Sequence, residues 1–249
     1  MSAQFVDVSF AVIAAPHDVE YLPTMLRTLP DGCEVVILWN EQGDDHEVRI
    51  KESKLDTSKL PYDFREYTVQ WSQFSFSTMR NLCGQLCTRS WIFWIDCDDA
   101  LLTWQHEYFT DTLTRQPPGV GAVSVGIVGV QPNHELSRAG DIPMRFHDEQ
   151  VRIYRRLYGF SWEGDAHEQI GWSVQRAGYT IAPSSLMVIH RGYASLSPEA
   201  MRRKMQRNVS LLSQTLQREW GPQERAHFTT VLARDANTLT FYNNLLGVT

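Results

Sequence analysis

Three carboxylates, those of Asp96, Asp98 and Asp99, follow directly on the apolar run WIFWI at residues 91–95. Ionised carboxylates repel one another when they are crowded, unless a cation lies among them. Carboxylate oxygens are ligands of hard divalent ions such as Mg²⁺ and Mn²⁺, which often complete their coordination with substrate phosphates. The pattern therefore predicts a divalent-metal site at the end of a strand. The alternative is a junction between a strand and a helix, because helix N-termini favour Asp as a capping residue.

Apolar runs and helical patterns alternate before this cluster, and they indicate which elements position the carboxylates. The runs typical of buried strands are residues 8–16, 33–40 and 91–96, and residues 64–69 are typical of a further short strand. Residues 21–29 and 76–87 have helical spacing. This alternation predicts an α/β sheet with largely parallel strands. Ligands bind at the carboxyl ends of such strands. The polar segments 16–18, 40–45 and 96–99 are therefore expected to converge on one crevice.

The middle of the chain has further strand patterns. Residues 120–130 form an apolar, glycine-rich run, and residues 150–156 alternate apolar and polar side chains. Residues 184–193 form another strand, which ends near His190. The glycines of the first run lack the context of a phosphate-binding loop, because no Gly-Lys-Ser or Gly-Lys-Thr ending follows them.

The pattern becomes helical from Ser197 onwards. Two long helical stretches cover residues 197–220 and 224–247. Ser197 is the predicted N-cap of the first, with Pro198 at its first position. We therefore predict one domain over residues 1–196 and a C-terminal helical extension over residues 197–249.

Composition narrows the classes of function. The chain has 249 residues, 43% of them hydrophobic, and a formal net charge of -6, which suits one large domain with a real core. Tight nonspecific binding to nucleic acid is disfavoured, since it needs many phosphate-neutralising Lys and Arg residues. The four cysteines form no CxxC pair, which favours reduced, buried thiols over a zinc site or disulfides. We see no signal peptide and no apolar run of membrane-spanning length, so we expect a cytoplasmic protein.

Four blocks, found in the expected order, make the chain resemble family 2 glycosyltransferases with the GT-A fold. The first, WSQFSFSTMRNLCGQLCTRSWIFWIDCDDAL, contains a small-x-x-Arg-Asn helix and a strand that ends in Asp-x-Asp-Asp. The second, VRIYRRLYGFSWEGDAHEQI, closes with a His-Glu pair, and the third, MVIHRGY, contains His-x-Gly-Tyr. The fourth, RRKMQRNVSLLSQTL, contains an Arg-Asn-x-x-Leu-Leu helix. Together the blocks are far more specific than any one of them alone.

The resemblance implies a fold class and a subgroup. The fold would be α/β, with a GT-A-type, Rossmann-like mixed sheet flanked by helices and followed by a C-terminal helical extension. The subgroup includes members that transfer sugars in cell-envelope synthesis or that carry C-terminal helical repeats. The opening segments depart from the family pattern: the usual Pro-x-x-Asn and the Asp-rich turn are replaced by AAPHDVE and WNEQGDD.

The resemblance also implies roles for individual residues. Asp98 would hold the metal ion that bridges two phosphates, with Asp99 as support and His190 completing the site. Glu168, in the His-Glu pair, would be the catalytic base. The donor-binding residues would be Pro16, Asp18, Glu41, Arg80 and Asp96, with Arg80 at the nucleotide base and Asp96 near the ribose or base. The acceptor-binding residues would be Trp162 and His167.

Sugar transfer from a nucleoside diphosphate makes three physical demands that these residues would meet. The leaving diphosphate needs its charge neutralised, which Mn²⁺ or Mg²⁺ and cationic side chains supply. The acceptor hydroxyl needs a base as it attacks, and both reactants must be held in line. A single displacement with one base inverts the configuration, whereas a double displacement needs a carboxylate nucleophile. We therefore expect a metal-dependent, inverting glycosyltransferase.

The expected donor is a UDP-sugar, since UDP donors are the commonest in the family, and the favoured acceptor is a saccharide or an envelope precursor. A hydroxymethylated base in DNA is the alternative acceptor, because a basic cluster would give the acidic chain a locally positive face. This basic cluster consists of Arg202, Arg203, Lys204 and Arg207. The alternative interpretation of this basic cluster is an ordinary solvated helix face.

Two other classes of protein compete with this interpretation. A nucleotidyltransferase would need a Gly-rich, Lys-containing loop after the first strand, and AAPHDVE contains neither residue type. A non-catalytic module that binds sugar nucleotides would lack the base or the metal-binding Asp. Both are present in the chain, which favours the enzyme.

Each candidate residue, taken alone, also has a purely structural interpretation. Glu168 would fit an exposed carboxylate at a strand end, and Arg80 an ion pair on a helix surface. The candidates that would equally fit hydrogen-bonded or packed side chains are His167, His190, Trp162 and Tyr158, the last two as alternatives to stacking on an acceptor. The functional interpretation requires Asp98 to lie close to His190, with Glu168 facing the same crevice.

Overall fold

A computed structural model describes residues 7–41, 47–51, 60–70, 75–130, 144–192 and 197–248. These residues contain a ten-stranded mixed sheet in the order β3-β4-β2-β1-β5-β8-β7-β10-β6, with β9 paired to β7. The strands are β1 (Val8–Ala14), β2 (Glu34–Glu41), β3 (Arg49–Ile50), β4 (Asp63–Gln70), β5 (Trp91–Trp94), β6 (Asp99–Leu101), β7 (Val120–Val130), β8 (Met144–Arg155), β9 (Thr180–Ala182) and β10 (Met187–His190). The predicted α/β class, with a mixed sheet flanked by helices, is confirmed.

Six α-helices lie among the described residues. They are α1 (Leu22–Leu26), α2 (Phe76–Leu86), α3 (His106–Thr114), α4 (Gly171–Arg176), α5 (Pro198–Thr215) and α6 (Pro222–Leu246). Single 3₁₀ turns cover Pro16–Glu20, Thr103–Gln105 and Arg156–Tyr158. No helix in the described part of the chain combines the length and the apolar character needed to cross a membrane.

The N-terminal half of the sheet is parallel apart from the two-residue strand β3, which pairs antiparallel with β4. Strand β1 lies between β2 and β5, and β2 also pairs with β4, all in parallel register. Strands β1, β2 and β5 are nearly continuous apolar runs because both of their faces are covered. The packed residues on one face include Phe10, Phe93 and Phe109, and those on the other include Leu38, Met79 and Cys83. The four carboxyl ends therefore lie along one edge of the sheet, as predicted.

The other half of the sheet combines antiparallel and parallel pairs. Strand β8 runs antiparallel to both β5 and β7, and β10 runs parallel to β7. The short strand β6 pairs antiparallel with the end of β10, so that Asp99 lies opposite His190. Because Asp99 begins a strand, the alternative of a helix capped by the Asp cluster is wrong.

Helices α5 and α6 form the C-terminal helical pair. Ser197 caps α5, since its Oγ accepts a hydrogen bond from the Ala200 amide at 3.2 Å, and Pro198 opens the helix as predicted. The apolar cluster between the pair and the sheet domain contains Ala166, Leu211, Leu212 and Phe228. The helices therefore pack against the segment that precedes Glu168. The domain boundary at residue 197 remains a prediction.

Candidate active site

The Asp cluster lies at the corner formed by β5, β6 and β10. After β5 the chain makes a tight turn, closed by the hydrogen bond from the Asp99 amide to the Asp96 carbonyl at 3.0 Å. His190 ends β10, and its Nδ1 lies 2.9 Å from Asp99 Oδ1 and 3.7 Å from Asp98 Oδ1. The predicted proximity of Asp98 and His190 is thus present, and the pairing of β6 with β10 produces it.

Asp99 is the buried anchor of this corner. Its Oδ2 accepts hydrogen bonds from Arg152 Nη1 at 2.5 Å and from the Asp96 amide at 2.9 Å. Burial favours the neutral acid, but Arg152 and His190 outweigh it and lower the pKa of Asp99 to about 2. The ionised carboxylate therefore fixes the orientation of the His190 ring through Nδ1, and a carboxylate partner of this kind is usual at a metal-binding histidine.

Asp98 is partly buried, with 26% of its side chain accessible. Burial, followed by the charge of Asp96, raises the pKa of Asp98 to about 6, while His190 and Lys204 act in the opposite direction. For His190, burial opposes protonation, but the hydrogen bond and charge of Asp99 raise its pKa above the ordinary value. Asp98 is thus a crowded carboxylate that a cation would stabilise in its ionised form.

Gly192 lies directly against the side chains of Asp98 and His190. A Cβ atom at this position would overlap Asp98 Oδ2 and would lie 2.8 Å from His190 Nε2. Both potential ligand atoms therefore lie close to Gly192. Asp98, Asp99 and His190 each offer one ligand atom, and these atoms all lie within 4.8 Å of one another. Two carboxylates and an imidazole fit a divalent ion such as Mn²⁺ or Mg²⁺.

Arg80 connects Glu168 to this corner. Its Nε donates a short hydrogen bond to Glu168 Oε1, and its Nη2 donates to Asp96 Oδ1 at 3.2 Å. Burial alone would lower the pKa of Arg80, but Glu168 and Asp96 raise it, so the guanidinium stays charged. The side chain of Glu168 is only 9% exposed, and Arg80 is buried. Glu168 is therefore a paired, mostly buried carboxylate rather than the exposed one that its sequence position alone would indicate.

Trp94 is the platform for both buried arginines. The guanidinium carbons of Arg80 and Arg152 lie 3.5 Å and 3.7 Å from the centroid of its ring. Such cation–π contacts are strongest where water is excluded, and Trp94 is buried at the end of β5. One aromatic side chain thus supports the arginine that holds Glu168 and the arginine that holds Asp99.

The predicted donor-binding residues of the opening segments lie at the carboxyl ends of β1 and β2. Pro16 begins the 3₁₀ turn after β1, and Asp18 Oδ2 accepts a hydrogen bond from the Ala15 amide at 2.7 Å. Glu41 ends β2 and forms an ion pair with Lys51 at 2.6 Å. Their roles in donor binding remain predictions. Residues 42–45 of the second polar segment lie outside the described residues.

The aromatic candidates for acceptor binding are packed. The ring of Trp162 is buried and makes edge contacts with Trp94 and Tyr154. Tyr158 stacks on Tyr179 with ring centroids 4.5 Å apart. These placements favour the packing alternative for both residues. Acceptor binding by Trp162 stays a prediction without geometric support.

His167 has a hydrogen-bond partner on the C-terminal helices. Its Nε2 lies 2.8 Å from Asp235 Oδ2 in α6. This arrangement favours the hydrogen-bonded alternative, and acceptor binding by His167 remains a prediction. Of the basic cluster, Lys204 lies near enough to Asp98 for its charge to act on that carboxyl, and Arg207 lies over the ring of Phe76 at 5.2 Å.

The sequence interpretation missed three residues of the site. Arg152 and Gly192 lie inside the quoted motifs VRIYRRLYGFSWEGDAHEQI and MVIHRGY. The available signal was the charge of Arg152 within its motif and the position of Gly192 two residues after the candidate ligand His190. Asp235 lies in the middle of a helix with no motif around it, so only the structure reveals its contact with His167.

Comparison with known structures bears on the fold. The chain is similar to the mannosyltransferase PcManGT from Pyrobaculum calidifontis in complex with GDP-Man and Mn²⁺, at 12% identity and a TM-score of 0.54, over 98% of this chain and 75% of that one. The fold is of the GT-A type. A more distant likeness, with a TM-score of 0.46 and 13% identity, is to residues 1–349 of S. aureus TarS in complex with UDP-GlcNAc, over 93% of this chain and 72% of that one. No protein-family model matches the chain, and no curated protein matches it.

Proposed function

We propose that the protein is a glycosyltransferase that moves a sugar from a nucleotide-sugar donor to an acceptor hydroxyl with the help of a divalent metal ion. The observation that carries this proposal is the convergence of Asp98 Oδ2 and His190 Nε2 beside Gly192. A carboxylate suited to act as a base, Glu168, is joined to the same corner through Arg80 and Asp96. The similarity in fold to a mannosyltransferase supports the proposal.

Asp98 and His190 would hold the metal ion. A bound Mn²⁺ or Mg²⁺ would neutralise the charge that develops on the leaving diphosphate. Asp99 holds His190 by Nδ1, so Nε2 would be the nitrogen that binds the ion. Asp99 itself supports the site rather than providing a free ligand, since its two oxygens already accept from His190, Arg152 and a backbone amide.

Glu168 would take the proton of the acceptor hydroxyl as it attacks the sugar. Its Oε1 is held by Arg80, so the carboxylate has one fixed direction and a second oxygen for the acceptor. Arg80 Nη1 is buried and has no hydrogen-bond partner among the described residues. We assign this nitrogen to the donor side, in keeping with the role expected for Arg80. With Glu168 as the base, a direct displacement by the acceptor hydroxyl would invert the configuration.

The donor is proposed to be a UDP-sugar, with a saccharide or an envelope precursor as the acceptor. Because the mannosyltransferase of similar fold is complexed with GDP-Man and Mn²⁺, the donor panel must contain GDP-sugars as well. A hydroxymethylated base in DNA is the second acceptor to be tested, since Lys204 of the basic cluster lies near Asp98.

The test is calorimetric titration with UDP- and GDP-sugars in the presence and absence of Mn²⁺, together with release of nucleoside diphosphate. The wild type should bind one of the two donor classes, and it should do so only when Mn²⁺ is present. Asp98→Ala should abolish this binding. Asp111→Ala is the matched control, because Asp111 is an exposed helix residue paired only with Arg115 in the described contacts.

Two results would contradict the proposal. One is the absence of metal-dependent binding with every donor, and the other is unchanged binding by Asp98→Ala. Release of pyrophosphate from a nucleoside triphosphate and a sugar phosphate would instead indicate a nucleotidyltransferase. An acceptor screen read by product mass, with glycans and hydroxymethylated DNA as its two arms, identifies the acceptor class.

A further inference from the structure

The segment that carries Glu168 is a short closed loop, residues 163–169, which we call the Glu168 loop. Glu163 and Gln169 exchange backbone hydrogen bonds at 3.0 and 2.9 Å and close it at its base. The sheet provides no further pairing for the residues between them. What holds the interior of the loop is therefore a set of contacts with other parts of the described chain, and most of these come from α5 and α6.

Asp165 is the first attachment point. Its amide donates to Thr215 Oγ1 at 2.9 Å, and its carboxylate accepts from Arg218 Nη2 at 2.8 and 2.6 Å. Its carbonyl accepts from the amide of Phe76 at 3.1 Å, which is the first residue of α2. Asp165 thus ties the loop both to the end of α5 and to the helix that carries Arg80.

Apolar packing is the second attachment. Gly164 has a φ of +96° and lies so close to Phe228 of α6 that a Cβ atom would be 2.6 Å from the Phe228 ring. Ala166 is buried in the cluster that also contains Leu211, Leu212 and Phe228. The loop therefore lies against the helical pair with no space for a larger side chain at residue 164.

His167 is the third attachment, and it immediately precedes Glu168. Its φ of 52° is the only positive φ of a non-glycine residue in the described ranges, and such strained conformations persist only where the surroundings impose them. Here the surroundings include Asp235, which is 2% exposed and accepts from His167 Nε2 at 2.8 Å. Asn208 Nδ2 and Arg234 Nε donate to the same carboxylate, each at 3.1 Å.

We propose that Asp235 is a positioning residue for the sugar transfer: its hydrogen bond to His167 fixes the loop backbone that aims Glu168 at the acceptor hydroxyl. Two independent constraints then act on Glu168. Arg80 orients its carboxylate, and the His167–Asp235 contact orients its backbone. This inference rests on the proposed function. It makes α6 a part of the active site although none of its residues contacts the metal corner in the described structure.

Four variants test this proposal in the full chain. Asp235→Ala removes the hydrogen-bond acceptor of His167. Asp235→Asn keeps one side-chain oxygen that can accept this hydrogen bond, but it removes the charge. His167→Gly removes the ring but accepts the positive φ without strain. Thr240→Ala is the matched control on the same helix, because Thr240 is exposed and its hydroxyl donates to the Ala236 carbonyl of α6 itself at 3.0 Å.

The expected result is a change in turnover without a change in donor binding. We expect Asp235→Ala and His167→Gly to lower kcat about 10- to 100-fold, since small misplacements of a catalytic group cost this much. Asp235→Asn should recover part of the loss, and Thr240→Ala should match the wild type. The dissociation constant of the donor in Mn²⁺ should stay within about threefold in all four variants, because the metal corner is built by the sheet.

Hydrogen exchange provides the readout that does not depend on activity. Amides of residues 163–169 should exchange faster in Asp235→Ala and His167→Gly, while those of β5 and β10 keep their protection. Wild-type kcat in Asp235→Ala and His167→Gly would overturn the proposal. A loss of donor binding as large as the loss of kcat, together with lower thermal stability, would also overturn it, because Asp235 would then be merely structural. Failure of the proposed function would appear separately, as a wild type that binds and turns over no donor.

Discussion

The two halves of the candidate site are built by different means. The metal corner, with Asp98, Asp99 and His190, is placed by backbone pairing, since β6 and β10 set Asp99 opposite His190. The Glu168 loop is placed by side chains, through Asp165 with Arg218 and through His167 with Asp235. The sheet therefore fixes the position of the proposed metal ligands, and the C-terminal helices fix the position of Glu168, the proposed base.

This difference has an electrostatic counterpart. In the metal corner, burial and the neighbouring Asp96 raise the pKa of Asp98 to about 6. At the loop, burial is outweighed by His167, Asn208 and Arg234, which lower the pKa of Asp235 to about 2. The Asp98 carboxylate is destabilised by burial and by a neighbouring negative charge, which a bound cation would relieve. The Asp235 carboxylate already has hydrogen-bond donors within the protein. A crowded group suits ligand binding, and a satisfied one suits support.

The largest effect is expected for Glu168→Gln, which separates the two halves functionally. The amide can still accept from Arg80 but cannot take a proton, so kcat should fall about 10²- to 10⁴-fold. Donor binding in Mn²⁺ should be retained, as measured by calorimetry beside initial rates. Glu107→Gln, at an exposed position of α3, is the control. Retained turnover would show that the base lies elsewhere.

The metal corner is tested by Gly192→Ala. The added Cβ would collide with Asp98 and crowd His190 Nε2, so the affinity for Mn²⁺ should fall about 10- to 100-fold. Gly119→Ala is a matched control, because nothing lies within 4 Å of a Cβ built there. Titration with Mn²⁺ followed by calorimetry measures the change. Equal affinities in the two variants would contradict the placement of the ion beside Gly192.

The smallest effect, about 1–2 kcal/mol in the free energy of unfolding, is expected to have opposite signs in the two halves. In the metal-free protein, ionisation of Asp98 costs stability as the pH rises from its ordinary pKa of 3.8 to about 6. Asp98→Asn removes this cost, so the variant should be more stable than the wild type at pH 8 and lose that advantage near pH 4. Urea unfolding in a chelator measures the difference.

Asp235→Asn should behave in the reverse manner. Because the pKa of Asp235 is lowered from 3.8 to about 2, its ionised form stabilises the fold above pH 4, and this contribution is lost as the pH falls towards 2. The variant should therefore be less stable than the wild type at pH 6, by about 1–2 kcal/mol, and should approach the wild type only as the pH falls to about 2 and below. If the stability of both variants relative to the wild type changed with pH in the same direction, the proposed electrostatic difference between Asp98 and Asp235 would be wrong.

Much of the framework was predictable because its signals are local. The apolar runs of β1, β2, β4 and β5 and the capped start of α5 depend on neighbouring residues in the chain, so their types follow from periodicity. Strand β6 was missed because its three residues, Asp99–Leu101, are too short to show a period. The same brevity made the helix-cap alternative reasonable until the pairing with β10 was seen.

The site was predictable in its residue types but not in its contacts. The motifs placed Asp98, His190 and Glu168 among the candidates, yet they did not show that Arg80 bridges Glu168 and Asp96, two carboxylates at very different positions in the chain. Arg80 was assigned to the nucleotide base, and its observed partners are carboxylates. Its two ion pairs arise because α2 covers the end of β5.

By itself, the sequence determined the α/β class, the parallel half of the sheet and the carboxyl end at which the acidic residues gather. Hydrophobic periodicity and strand polarity are properties of adjacent residues, and they act before any long-range contact forms. Only the tertiary structure decided that Asp99 supports His190 and that His167, 68 residues from Asp235, depends on it. Such pairings follow from the packing of helices and sheet against each other, and no spacing in the chain encodes them.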